Sequence, residues 1–233
     1  MLRPFADIPP PRRLEPQVSR QTRLSSISGR EPQVFQGLKT RPIGMATWNR
    51  TIPPAIRNAL RLWSVNVEEP FDGVTVTNTE IPDSVFEGMS PRLREWLHND
   101  FSRLLLEFQK VAQVSQTQLT FGPIRSDRCR KFHQDYLRYR LITTYDGPGT
   151  EWVPAEAVNQ AALVHPPACP HEANAQIIAD PAAVRRAQVG DVLLMKGRRH
   201  PDGTGIVHRS PPIEASAQSR IALIISSLDH QQP

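Results

Sequence analysis

Two cysteines in 233 residues, Cys129 and Cys169, are too few for a fold that depends on disulfides, so a small cross-linked secreted scaffold is excluded. No stretch approaches the roughly 20 apolar residues that span a bilayer, so no transmembrane helix and no membrane partner are expected. Near the start, Pro9-Pro10-Pro11-Arg12-Arg13 stands where an export signal needs an apolar run, and the expected location is the cytoplasm. Gly147-Pro148-Gly149-Thr150 has neither the Lys-Ser/Thr pair nor the following helix pattern of a phosphate loop, and reads as a tight turn. There is no internal repeat and no sustained heptad.

What the chain has in excess is proline, 23 residues or about twice the usual share, beside a hydrophobic content of 39%. This composition predicts a globular body rich in turns plus a stretch that does not fold. The net charge of +5 is uneven. Residues 1–50 hold nine Lys/Arg against three Asp/Glu, and residues 51–233 balance to −1. Residues 1–45 are therefore expected to form a flexible basic Pro/Arg-rich arm, too poor in apolar side chains to offset its ordering entropy. A phosphate-gripping role for that arm is the alternative to a solvated tail, and nucleic acid is not the expected partner.

Residues 46–233 are expected to form one globular domain, helical over 46–115 and a β-barrel over 116–233. Proline starts a helix through Ala55–Trp63. Ser90 can cap a longer one, with Pro91 in its first turn and Leu93, Trp96, Leu97, Leu104, Phe108 and Val111 on one stripe. From residue 116 the pattern shortens to strand-like runs at Thr117–Phe121, Leu137–Tyr145, Val192–Met195 and Ser219–Ser226, separated by turn residues. Such runs predict an α+β, mainly β fold, an antiparallel barrel or sandwich with the helices packed on one face.

The chemistry centres on Lys131-Phe132-His133-Gln134-Asp135. In a strand, residues i and i+2 share a face, so His133 and Asp135 would present an imidazole and a carboxylate to one point. His208 can arrive from a distant strand as a third ligand. Two histidines and a carboxylate on one side of a metal leave positions open for a chelating co-substrate and oxygen, and suit Fe(II) better than a thiolate set would. Arg220 follows twelve positions after His208, at the head of an apolar run. Arg138 and Arg140 are rivals to Arg220 for holding the co-substrate, or candidates to bind an acidic substrate. If one strand ran straight on from Asp135, however, Tyr139, Thr143 and Tyr145 would face the metal with both arginines turned away. A turn at Tyr136 would reverse that. Trp152 is a candidate for the same pocket, with core packing as its alternative.

The order His-x-Asp, Gly190-Asp191-Val192, His208, then Arg220-Ile221-Ala222-Leu223 resembles the double-stranded β-helix (jelly-roll, cupin-like) oxygenases that use Fe(II) and 2-oxoglutarate. The resemblance covers roughly residues 125–226. It implies metal ligation by His133, Asp135 and His208. It further implies that Arg220 pairs with the distal carboxylate of 2-oxoglutarate and that O2 is a co-substrate. A guanidinium suits that contact because it binds carboxylates bidentately. A denser match exists as well. Lys131-Phe132-His133-x-Asp135, Arg140–Trp152 and His208-Arg209-Ser210-Pro211 resemble a bacterial family known as domain of unknown function 1826. That family label supplies no reaction.

Other readings stay open at this stage. The triad could serve a cupin-like metal enzyme without 2-oxoglutarate, or a non-catalytic protein of metal homeostasis. His133 and Asp135 could be a hydrogen-bonded pair that orders a strand. Cys129, Cys169 and His171 lack the usual spacing of a structural zinc site. Neither substrate nor oligomeric state leaves a signature.

Overall fold

The computed structural model describes residues 26–40, 43–126, 129–203, 205–213 and 219–228. Ten strands are β1 (Ser26–Gly29), β2 (Met45–Trp48), β3 (Phe71–Thr77), β4 (Gln116–Ile124), β5 (Tyr139–Asp146), β6 (Glu151–Val153), β7 (Arg185–Arg186), β8 (Val192–Lys196), β9 (Val207–Arg209) and β10 (Arg220–Ser227). They form a seven-stranded sheet in the order β1-β2-β8-β5-β10-β4-β3 and a three-stranded sheet in the order β7-β6-β9. All pairings are antiparallel except β1 with β2. The protein is thus mixed α and β, with sheet predominating.

The helices α1 (Pro54–Ser64) and α2 (Pro91–Ala112) lie against the larger sheet. In α2 the Ser90 hydroxyl accepts from the Leu93 amide, Pro91 occupies the first turn, and Gln113 ends the helix in the left-handed region at φ 56°. Leu93, Leu97, Phe101, Leu104, Phe108 and Val111 recur at spacings of three and four, and all are buried. Phe101 meets Phe121 of β4 edge-on at 4.8 Å, and Trp63 of α1 stacks on the same ring at 5.4 Å. Each such side chain contributes about 1.5–3 kcal/mol by leaving water.

Alternation along the strands splits the apolar side chains in two. Tyr139, Leu141 and Tyr145 of β5, Ile221, Leu223 and Ile225 of β10, and Val192 and Leu194 of β8 join the helix-side core. On the opposite face, Met45, Ile142, Leu193 and Met195 pack with Trp152 of the smaller sheet and with Ile206, so this cluster lies between the sheets. The outer side of the smaller sheet, through Val153 and Val207, is covered by Ala173 and Ile177 of α4 (Pro170–Ile177), which touches α3 (Gln160–Val164). Among the described residues no helix is long and apolar enough to cross a membrane.

Two expectations change. Residues 1–25 of the expected arm lie outside the described residues, but the arm does not extend to residue 45. Ser26–Gly29 adds a parallel edge strand, and the 3-10 helix Pro32–Lys39 buries Phe35 and Leu38 in the main core. Phe35 also meets Trp48 edge-on. Two apolar anchors outweigh the polar composition around them. The stretch 46–115 likewise supplies β3 as well as helices.

Candidate metal centre

His133 and His208 face each other across an antiparallel bridge in which each amide donates to the other's carbonyl at 3.0 Å. His133 is not in a continuous strand. After the bridge the chain bends at Tyr136–Arg138 before β5 begins. Asp135 is fixed instead by its own carbonyl, which accepts the Arg198 amide at 2.8 Å. The carboxylate nevertheless reaches both rings, with Oδ1 3.6 Å from His133 Nε2 and Oδ2 3.3 Å from His208 Nε2. One potential ligand atom from each of the three residues lies within 4.8 Å of the others, and no other such group occurs among the described residues.

Hydrogen bonding prepares these atoms. His133 Nδ1–H donates to the Lys131 carbonyl at 2.8 Å, and His208 Nδ1–H donates to the Ile206 carbonyl at 3.2 Å. Each neutral ring then carries its lone pair on Nε2, the atom turned toward Asp135. Asp135 Oδ2 is buried with no hydrogen-bond donor, despite lying 3.3 Å from His208 Nε2. Two proton-free imidazole nitrogens and an undonated carboxylate oxygen are a donor set for a divalent cation, so the residues present fit the metal.

Burial raises the Asp135 carboxyl, but without a metal His133 and His208 in their protonated forms, together with Arg140, outweigh this and hold it well below the usual carboxylate range. Burial lowers the His133 imidazole, while Asp135 and the Lys131 carbonyl outweigh that and leave it raised.

Arg220 opens β10 and is only 2% exposed. Its Nη2 donates to Thr150 Oγ1 at 3.2 Å, whereas Nε and Nη1 have no hydrogen-bond partner among the described residues. Burial alone lowers its pKa to about 10. A buried guanidinium held by one hydroxyl has donors left for an incoming anion, and in this respect it fits the distal carboxylate of 2-oxoglutarate.

The expected pocket residues fare differently. Tyr139 and Tyr145 belong to the helix-side core. The Tyr139 hydroxyl meets His200 Nε2 at 2.8 Å, and the Tyr145 hydroxyl donates to Asp100, which also pairs with Arg50. Thr143, opposite Leu223 of β10, shares their face by alternation. The cause is the bend at Tyr136–Arg138, which inverts the parity a straight strand would have. Trp152 does lie between the sheets, opposite His208 in the β6–β9 pairing. Arg140 faces the triad instead, its Nη1 2.8 Å from Asp135 Oδ1. Thr150 was also missed, because only the folded turn brings it to Arg220. Buried Glu151 joins Arg186 of β7 to Arg209 of β9 and so steadies the strand that carries His208.

Fold and site together define a two-sheet protein with a partly buried group of two histidines and one carboxylate. The chain belongs to the family described as "Protein of unknown function (DUF1826)", whose model matches residues 29–226. None of the curated proteins matches it. Solved structures with some likeness include AviO1 from Streptomyces viridochromogenes Tue57, at 13% identity over 88% of this chain and 98% of that one, TM-score 0.43. A prolyl-4-hydroxylase from Pseudomonas putida shows 12% identity over 84% and 92% of the two chains, TM-score 0.43. The Fe(II)/(alpha)ketoglutarate-dependent dioxygenase TqaL shows 14% identity over 75% and 74%, TM-score 0.42. Likeness at these values assigns no activity to this chain.

Proposed function

We propose that this protein is an Fe(II)- and 2-oxoglutarate-dependent oxygenase, with His133, Asp135 and His208 as metal ligands and Arg220 as the anchor for 2-oxoglutarate. The observation that carries this reading is Arg220. A structural arginine brings its own carboxylate, and among the described residues this one has a single hydroxyl contact and two unpartnered nitrogens in a sealed position. An uncompensated buried charge costs several kcal/mol in order of magnitude, which a ligand anion would offset.

The chain path supports a double-stranded β-helix. From β4 onward, successive segments alternate between sheets. β4 is in the larger, the His133 bridge extends the smaller, and β5 returns to the larger. β6 and β7 are in the smaller, β8 in the larger, β9 in the smaller and β10 in the larger.

Bound Fe(II) with 2-oxoglutarate and O2 would supply the oxidising power for a substrate C–H bond. The chain's own contribution is positioning. The Lys131 and Ile206 carbonyls orient the two rings, Arg140 steadies Asp135, and Thr150 aims Arg220. Ile142, Trp152, Leu193 and Met195 pack together between the sheets and keep water out of that layer. A reducing, cytoplasmic setting belongs to the same proposal and suits the two free cysteines.

Thermal unfolding of the full chain with Mn(II), a redox-silent substitute, and 2-oxoglutarate tests the assignment. Mn(II) should raise the midpoint, and 2-oxoglutarate should raise it further only when metal is present. His208→Ala should lose both shifts, and Arg220→Met only the second. A metal shift with no response to 2-oxoglutarate would refute the oxygenase assignment in favour of metal binding alone.

A further inference from the structure

We propose that the primary substrate carries a carboxylate or phosphate group, and that Arg140 binds this group at the open side of the metal centre. The proposal rests on the oxygenase reading for the role of the triad, but the anion site itself does not depend on it.

Arg140 is the second residue of β5. Because Tyr139 and Leu141 face the helices, Arg140 faces the space between the sheets, as Ile142 does. A guanidinium presents two edges that can each hold an oxoanion. One nitrogen, Nη1, meets Asp135 Oδ1 at 2.8 Å. The edge formed by Nε and Nη2 has no partner among the described residues, and Nε is buried with no hydrogen bond. Steadying Asp135 requires one donor, and the free edge is surplus to that task.

Exposure separates this arginine from Arg220. The Arg220 residue is 2% exposed, whereas the Arg140 side chain is 26% exposed and the His133 side chain beside it 32%. Arg220 is thus sealed in, and Arg140 sits where the triad reaches solvent. The segment Gly197–Arg199 donates its amides to the carbonyls of Asp135, Leu137 and Arg138, which packs its backbone against the bend that carries Asp135 into β5. Arg199 also lies over the Tyr136 ring. The free guanidinium edge, beside the partly exposed His133, is where an incoming anion would stop.

The test is an NMR titration of the metal-free, nitrogen-labelled full chain with inorganic phosphate and with acetate, using sodium chloride at matched ionic strength as control. The Arg140 Nε–H resonance, identified by its loss in R140K, reads the free edge directly. Saturable movement with phosphate or acetate but not chloride is expected, and it should persist in R220M. The anion that binds more tightly identifies the substrate group. In R140Q, perturbation of neighbouring amides by the same anion should weaken at least tenfold, with R140K serving as a folded comparison by its melting curve. If the anion moves only the Arg220 resonance, or moves neither, the proposal is overturned while the metal assignment stands. If Arg140 responds but the protein binds no metal, the anion site stands and the oxygenase reading falls.

Discussion

Arg220→Met should make the metal-free protein more stable. Burial holds the guanidinium pKa near 10, well below its ordinary value, which corresponds to roughly 3 kcal/mol of unfavourable charge burial at neutral pH. Methionine fills similar length, removes the charge and gives up one hydrogen bond to Thr150, worth about 1 kcal/mol. The net gain is about 2 kcal/mol, or roughly 4–8 °C in melting midpoint for a chain of this size. The sign also fixes the pH dependence. The cost is fully present below the folded pKa of about 10 and fades only as pH rises from there toward the ordinary arginine value, so the difference between the proteins should be flat across neutral pH. Saturating metal and 2-oxoglutarate should reverse the order, since a ligand at 100 times its dissociation constant adds about 2.7 kcal/mol to the wild type alone. Urea unfolding with and without both ligands measures this crossing. An Arg220→Met protein that is less stable than wild type by more than about 1 kcal/mol without ligand would refute the claim that the charge lacks a partner.

Tyr145→Phe should cost about 1 kcal/mol by removing one donor to half-buried Asp100, which keeps Arg50, while leaving metal affinity unchanged; a large fall in affinity by calorimetry would return Tyr145 to the pocket. Partial burial raises the Asp146 carboxyl, but Arg61 and Arg57 outweigh that and depress its pKa. Its contribution, about 1 kcal/mol because Arg61 is largely exposed, should be present above the unfolded pKa and lost as pH falls through the lower folded value. Asp146→Asn should therefore lower stability at pH near 7 and leave it unchanged in acid, as read by urea midpoints. Phe35→Ala should cost about 3–5 kcal/mol. A cost within about 0.5 kcal/mol would mean that the N-terminal segment is a solvated tail after all.

The elements that could be read in the sequence are those long enough to show a period. The α2 stripe from Leu93 to Val111 and the runs of β4, β5 and β10 have that length, and the short apolar run of β8 is legible too. Seven-residue β3 is not, because Asp72, Gly73 and exposed Thr75 and Thr77 interrupt its apolar pattern. Nor is the smaller sheet, because β6, β7 and β9 have three, two and three residues and no alternation can be seen over so few. Cys169-Pro170-His171, weighed as a zinc fragment, is the start of α4, with Pro170 in its first turn. The three candidate ligands could be named from residue type and order. The faces of β5 could not, since they depend on how the chain turns at Tyr136–Arg138. Assuming a straight strand put Tyr139 and Tyr145 in the pocket and left Arg140 out.

The most direct test of the central claim is an anaerobic titration of the metal-free protein with Fe(II) and then 2-oxoglutarate, following the visible charge-transfer band of the chelate. The account predicts a band that saturates at one equivalent, disappears in His133→Ala and needs far more 2-oxoglutarate in Arg220→Met. Fe(II) bound tightly with no band at any concentration of 2-oxoglutarate would contradict it.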